Sequence, residues 1–404
     1  MKSVKEQYEA FPYPERDPKD ESQRLILGSP SMPVEIDHCL FGGRRDWSLP
    51  FRALVAGGGT GDGLIMLAQL LADAGRDYEI TYVDLSERAR EIAESRAEAR
   101  HLTGIKFVTG SLLDAPDYGT FDYIDCCGVL HHLPEPQAGF DALAAALSDR
   151  GGIGLMVYAP YGRSGVYPLQ EAFGQLLEDS DPRKRLRAAR SMFPVVPEGH
   201  PFRRNPHLSD HMQSDAGFYD LLLHSVDRPF TVAELALALD RAGLAITSFG
   251  EPGAYDLRRY LPKTIRLPKE LNEIQRMGLA EMLSGSLKTH VVYAAPKVRA
   301  SEALVGKPTM EDVPHLRPDV SADKVADAIA RAGKIRLNTA SGKKTIELPN
   351  ASAALLAKVD GRRNLAGIAV AAGLSENAIR GKWNRIDEAL RPWGLLHYSW
   401  LNQQ

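Results

Sequence analysis

Three glycines at alternate positions, Gly57, Gly59 and Gly61, follow the apolar run Leu54-Val55-Ala56 and precede a helical pattern that starts at Leu64. Glycine at such a strand-to-helix turn lets the chain bend tightly and lets a ligand approach the backbone, while the helix N-terminus favours polar or anionic groups. The spacing separates the possible ligands. A dinucleotide fingerprint beginning at Gly57 needs Gly or Ala at position 62, where the chain has Asp62, and the Gly-Lys-Ser/Thr of a phosphate loop is absent. The next β-rich run, Thr81-Tyr82-Val83, ends in Asp84. A carboxylate there can accept hydrogen bonds from both hydroxyls of a ribose, so loop and acid together point to a nucleoside ligand rather than to a structural turn beside a capping acid.

Further along, Phe121-Asp122-Tyr123-Ile124-Asp125-Cys126-Cys127 runs into Gly128-Val129-Leu130-His131-His132. Either His131 or His132 could remove a proton from an amine or hydroxyl; the competing reading is a histidine that caps the turn and packs under a lid. Tyr158, Tyr161, Arg163 and Tyr167 follow the fifth β-rich run, and could line a substrate pocket or serve as packing. Tyr8 and Tyr13, in the segment Tyr8-Glu9-Ala10-Phe11-Pro12-Tyr13-Pro14, could close over the ligand from an N-terminal arm. His207 and His211 stand four apart, near Asp210 and His224, but without an H-E-x-x-H motif or cysteine partners the expectation is no metal. Arg183-Lys184-Arg185-Leu186-Arg187 reads as a solvated helix face rather than an RNA-binding strip.

The elements that must hold these residues alternate. Short β-rich runs at 53–56, 79–83, 105–108, 123–126 and 153–157 enclose helical periodicity over 64–74, 86–101 and 136–148. That pattern predicts an α/β fold: a Rossmann-like, doubly wound sheet, mostly parallel, with ligands at the strands' C-terminal ends. After Tyr158 the alternation stops, and a helix over 170–190 with a Pro-rich, His-containing stretch predicts a helical lid inserted over about 161–229. A helix over 232–242 and strands at 244–249 and 289–294 resume the pattern, the last strand being antiparallel. The expected domains are an arm or lid over 1–50, the α/β domain over 51–296, a linker over 297–321, and a small α+β domain over 322–404. This last one is read as a helix over 323–332, a hairpin over 334–348 turning at Ser341-Gly342, three short helices and a final strand.

Composition narrows the function classes. The chain has 404 residues, 44% hydrophobic and 25% charged, which fits a globular protein of two or three domains and excludes a disordered chain. Lys+Arg 49 against Asp+Glu 52 gives −3, so no bulk field draws nucleic acid. From Ser321 onward, however, 13 basic residues face 7 acidic ones. No run is long and apolar enough to span a bilayer, and no apolar segment follows Met1-Lys2-Ser3, so neither membrane insertion nor export is expected. Cys39, Cys126 and Cys127 are the only cysteines, and an adjacent pair is unsuited to a disulfide; a reducing, cytoplasmic setting is expected.

With these motifs in order, the first 296 residues resemble the class I S-adenosylmethionine-dependent methyltransferases. The resemblance implies that Gly57, Gly59 and Gly61 face the methionine part of S-adenosylmethionine and that Asp84, with Leu85 beside it, binds the ribose. It places Ser111 and Leu112, from Phe107-Val108-Thr109-Gly110-Ser111-Leu112-Leu113-Asp114, at the adenine, and counts Cys127 among the cofactor-binding residues. Two positions depart from the family pattern. Ala56 stands where many members have an acid, and Ser111 where an Asp often contacts the adenine amino group; Ser111 can still make one hydrogen bond and Leu112 can pack on the purine.

The stretch from Ile346-Glu347-Leu348-Pro349 to Leu365-Ala366-Gly367-Ile368-Ala369 is similar to small winged-helix modules that bind peptides or proteins. Its last helix mixes Arg380, Lys382 and Arg385 with Glu376, Asp387 and Glu388, which favours a protein contact over nucleic acid; a structural or homodimerising role is an equal alternative. The arm, the stretch His224-Ser225-Val226-Asp227-Arg228-Pro229-Phe230 and the added domain loosely resemble bacterial methyltransferases with a regulatory domain, some acting on protein lysines. A small-molecule acceptor is the default, because the fourth motif lacks the Asn/Asp-Pro-Pro-aromatic loop of many nitrogen-modifying members. A protein or peptide acceptor is the alternative, and a cofactor-sensing regulator or a catalytically lapsed scaffold are the non-enzymatic readings.

Overall fold

The computed structural model describes residues 4–177, 181–339 and 342–403. Seven strands form the main sheet: β1 (Phe51–Ala56), β2 (Tyr78–Asp84), β3 (Ile105–Thr109), β4 (Phe121–Cys127), β5 (Leu147–Tyr158), β6 (Leu244–Phe249) and β7 (Thr289–Pro296). Their order is β3-β2-β1-β4-β5-β7-β6. Pairings from β3 through β5 are parallel, and β7 runs antiparallel to both β5 and β6. The expected Rossmann-like sheet with an antiparallel last strand is therefore present.

Alternation along β1 explains the layering, since successive side chains of a strand point to opposite faces. Ala53 and Val55 pack with Leu64, Leu67 and Tyr123 under the helix Asp62–Asp73, whereas Leu54 and Ala56 join Ile124, Leu155 and Phe140 on the other face. Both faces of the central strands are covered, which is why these runs are continuously apolar. Chain direction across the sheet reverses between β1 and β4, so the loops that follow these two strands part and leave a crevice at their C-terminal ends.

The insertion after β5 is helical, as expected, but the helix predicted over 170–190 is two, Val166–Leu176 and Pro182–Met192. Asp181 starts the second by accepting the N–H groups of Arg183 and Lys184, a side-chain cap that a continuous helix would not need. With the helix Asp215–Leu223 they bury their own apolar cluster around Phe173, Phe202, Phe218 and Leu222. Three of the four basic residues of 183–187 face solvent as predicted; Arg185 is buried, 5.9 Å from the Tyr219 ring centroid.

The C-terminal unit contains the helix Ala322–Ala332, the hairpin strands β9 (Lys334–Thr339) and β10 (Gly342–Glu347), and the helices Ala353–Leu356, Leu365–Ala371 and Glu376–Leu390. The last of these has 15 residues and is not short. Of the predicted hairpin turn, Ser341 lies outside the described residues. The segment read as a linker supplies β8 (Pro314–Leu316), which pairs antiparallel with the terminal strand β11 (Leu396–Tyr398). Val313 and His315 are buried with the C-terminal unit, whereas Arg299 donates to the Leu40 and Gly151 carbonyls and Ala303 packs in the main-domain cluster, so 297–321 bridges both bodies rather than hanging between them.

That unit is fastened to the main domain through the helix Pro33–Leu40. The carboxylate of Asp37 accepts hydrogen bonds from Trp47 Nε1 (3.0 Å), Ser399 Oγ (2.6 Å) and the Trp400 N–H (3.1 Å). His38 Nδ1 accepts the Tyr398 N–H at 2.9 Å. Glu35 on the same helix is buried, with Ser29 Oγ at 2.6 Å from Oε2 and no hydrogen-bond partner on Oε1 among the described residues, and burial pushes its carboxyl up to about 7 against the opposing Ser29 and Tyr293 hydroxyls. Between its ordinary value near 4.5 and 7, the folded chain thus holds a proton that the unfolded chain has released. Stability should fall as pH rises through that window. Thermal unfolding at pH 5 and pH 8 should show Glu35→Gln losing less stability than wild type, by about 2–4 °C for each kcal/mol involved; parallel slopes would sink this.

Candidate active site

The glycine loop leaves β1 over the end of β2. Gly57 has φ +71° and faces Val129 so closely that a Cβ would lie 2.5 Å from its Cγ2, and Gly59 has φ +52°. Side chains at either position would be strained, so the glycines meet a backbone requirement. Asp84 closes the turn: Oδ2 accepts the Gly59 N–H and Oδ1 the Ser86 N–H, both at 2.8 Å. A carboxylate has about four lone-pair positions, so about two remain for other donors. Burial raises its pKa, while the Ser86 and Gly59 N–H groups oppose the rise and hold it in place.

On the neighbouring loop, Ser111 Oγ accepts the Leu113 N–H at 3.1 Å. Leu112 is turned into the core, packed towards Leu130 and Gly139, and the leucine left exposed is Leu113. Leu85 is exposed beyond Asp84, and Cys127 is exposed at the end of β4. The apolar edge offered beside Ser111 is therefore Leu113 rather than Leu112, because the 3-10 turn at 112–114 points alternate leucines in and out.

The N-terminal arm lies across this loop. Thr60 Oγ1 donates to the Pro14 carbonyl at 2.7 Å, and the Tyr13 carbonyl would stand 3.0 Å from a Cβ on Gly59. Arg16 binds Asp62 through Nε (2.8 Å) and a terminal nitrogen (2.6 Å). Arg96, 1% exposed, spans Glu21 of the arm (2.6 Å), Asp62 (2.8 Å) and the Thr60 carbonyl (2.8 Å). Asp62, whose presence breaks the dinucleotide fingerprint, is thus one of the residues that anchor the arm, with Thr60 and Arg96.

On the other side of the crevice, arm and lid meet the residues after β4 and β5. His131 and His132 sit in a 3-10 turn, 0% and 5% exposed. The His132 ring stacks on His224 at 3.6 Å and 17°, and His131 packs between His132 (4.1 Å) and Tyr158 (4.0 Å). Asp220 accepts from Tyr8 Oη (3.3 Å) and Tyr158 Oη (3.0 Å). Arg163 lies 3.6 Å from the Tyr158 ring centroid, pairs with Asp227 at 3.0 Å and donates to Tyr167 Oη at 3.1 Å. This collects carboxylates, phenols and imidazoles, several able to take or give a proton, in one enclosed place.

Residues 54–153, from the first strand through the glycine loop to the fifth strand, match the family model described as a methyltransferase domain. This part of the chain is a methyltransferase domain. An uncharacterized protein of Synechococcus sp., syc1184_c, is 30% identical over 251 residues, which is 60% of this chain and 59% of that one. The chain is also similar in fold to PKMT2 from Rickettsia typhi, with TM-score 0.59 and 14% identity over 91% of this chain and 75% of that one. The same protein in complex with AdoHcy gives TM-score 0.56, with 13% identity and the same coverage of both chains.

Within the methyltransferase domain and its lid, the residues singled out from the sequence fall into two groups, one at the glycine loop and one at the lid. Tyr8 donates to the lid carboxylate Asp220, and the Tyr13 carbonyl lies over the glycine loop at Gly59. Tyr161 is exposed and shares no hydrogen bond or ring contact with the cluster among the described residues. The predicted neighbours His207 and His211 are not one helical turn apart, because the helix there begins only at Asp210. His211 packs against Phe193 and Phe202, whereas His224 stands with His132. Asp220 and Asp227 were missed as site residues; the only signal was that an acid within Phe218-Tyr219-Asp220-Leu221-Leu222 falls in an otherwise apolar run.

Proposed function

We propose that this chain transfers a methyl group from S-adenosylmethionine to a small-molecule acceptor held beneath the helical lid. The observation that carries the reading is the placement of two unlike half-sites on one sheet edge: a ribose-type carboxylate in a glycine loop, and an enclosed acid–base cluster across the crevice. The first half-site fits the cofactor. Asp84 keeps lone pairs for ribose hydroxyls, Leu85 and Leu113 offer exposed apolar surface for a purine, and Gly57 and Gly59 present bare backbone. When bound, S-adenosylmethionine supplies an electrophilic methyl group on a sulfonium.

The chain's own part is to position and to exclude water. Tyr8 and Tyr13 bring the arm over the crevice, and the lid cluster closes it on the other side. Burial of His131, His132, Asp220 and His224 favours an acceptor small enough to be enclosed, although a single side chain of a peptide would meet the same groups.

Calorimetry with S-adenosylmethionine and S-adenosylhomocysteine tests the cofactor half. Wild type should bind, and Asp84→Ala should lose about 1.5–3 kcal/mol, the range for a hydrogen bond to a charged group. No binding at millimolar ligand would end the methyltransferase reading. Radiolabelled cofactor with size-fractionated extract tests the acceptor: label in the low-mass fraction supports a small molecule, and label confined to protein replaces it with the peptide reading.

A further inference from the structure

We infer that His132 Nε2 is the proton-accepting atom of the site, and that both polar backbone atoms of Val226, together with Asp220, set it in that role. The inference rests on the methyl-transfer reading for its substrate but not for its geometry. His132 Nδ1 lies 2.7 Å from the Val226 carbonyl, and a carbonyl can only accept, so Nδ1 carries the hydrogen. The neutral ring then has its lone pair on Nε2, which has no hydrogen-bond partner among the described residues.

The stacked ring is fixed the opposite way. The Val226 N–H donates to His224 Nδ1 at 3.1 Å, so that nitrogen is bare and the hydrogen of neutral His224 sits on Nε2. His224 Nε2–H then donates to Tyr8 Oη at 3.3 Å, and Tyr8 donates onward to Asp220 at 3.3 Å. Tyr158 donates to the other oxygen of Asp220. One residue just after the lid's last helix thus holds two stacked imidazoles in opposite tautomers, one with a free lone pair and one committed as a donor.

Which groups face His132 decides between it and His131. His131, His224, Tyr158, Asp220 and Asp227 surround His132, with Tyr8 bonded to Asp220 and Arg163 to Asp227 behind them. The ligand atoms of His132, Asp220 and His224 lie within 4.8 Å of one another, so an imidazolium at His132 forms beside a carboxylate. Among the described residues His131 has no hydrogen-bond partner on either nitrogen, and burial, with His132, Arg163 and His224 close by, lowers its pKa well below the usual histidine value. It stays neutral and packs the turn. In the step, the acceptor's N–H or O–H bond breaks and its proton goes to His132 Nε2. The acceptor's electron pair forms the new bond to the methyl carbon, and the sulfonium–methyl bonding pair leaves on sulfur as the thioether.

The same three residues could instead be read as a metal site. That reading requires a lone pair on His224 Nε2, which the Val226 N–H on Nδ1 denies to the neutral ring. Asp220 and Val226 act through His132 and are positioning residues.

Nitrogen-15 spectra of selectively histidine-labelled full-length protein test this without any acceptor. At pH about 7.5, the signal lost in His132→Gln should be an Nδ1–H tautomer and the signal lost in His224→Gln an Nε2–H tautomer. The reverse pattern, or the same tautomer on both, overturns the inference, as does one equivalent of zinc chloride moving both signals stoichiometrically. With an acceptor in hand, Asp220→Asn should lower kcat by about tenfold or more while KM stays within about threefold, because the proton arriving on His132 loses its neighbouring carboxylate. A rise in KM as large as the fall in kcat would mean a structural role and would remove Asp220 from the assignment. Wrong tautomers in a protein that binds S-adenosylmethionine refute this inference alone; correct tautomers in one that does not bind it refute the functional reading alone.

Discussion

Replacing Arg96 with alanine should destabilise the protein by about 3 kcal/mol and weaken cofactor binding together. Arg96 is 1% exposed and holds two carboxylates, Glu21 and Asp62, as well as the Thr60 carbonyl. Breaking a buried pair by removing one partner generally costs about 3–5 kcal/mol, because the remaining charge is left uncompensated in a medium that solvates it poorly. Each acid here keeps a second arginine, Arg100 for Glu21 and Arg16 for Asp62, which places the expected loss at the low end of that range. The coupling to binding follows from position: Thr60 and Asp62 flank Gly61, so loss of the arm's anchor loosens the glycine loop. Urea unfolding read with calorimetry on the same sample checks both. A loss under about 1 kcal/mol, or full cofactor affinity, would show that the arm is not held this way.

His132→Gln carries the other large expectation, about 10²–10⁴-fold lower kcat, the usual contribution of a positioned proton acceptor. Glutamine keeps a side-chain donor for the Val226 carbonyl but has no nitrogen lone pair to receive a proton. Affinity for S-adenosylmethionine should stay within about threefold, since among the described residues no hydrogen bond or ring contact joins His132 to Asp84 or the glycine loop; such near-neutral effects are usual away from a contact. The measurement is kcat and cofactor affinity with the acceptor found by fractionation. A loss below tenfold would assign the proton to solvent, and His131→Gln should then be no worse than His132→Gln.

How much of this was legible in the sequence can be followed residue by residue. The β-rich runs and helical stretches of the main domain fall close to the observed elements because apolar periodicity is dictated by burial on one or two faces, and Gly57, Gly59 and Asp84 could be read because local backbone geometry demands them. Leu112 and Leu113 could not be told apart: both are leucines in a three-residue turn, and which one faces the core depends on the helix containing Gly139. The break near Asp181 went unread because helical periodicity continues on both sides of it. The pairing of β8 with β11 joins residues about 80 positions apart, and no local pattern announces such a partner.

The sequence by itself determined the class of fold, the glycine turn and its carboxylate, because each is specified within a few residues by sterics and by alternation of apolar groups. Only the tertiary structure decided the acid–base half of the site. Tyr8, His132, Tyr158, Asp220, His224 and Val226 come from the arm, two strand ends and the lid. Their tautomers and charges follow from which donor meets which acceptor across those elements, and that is settled by packing over the sheet.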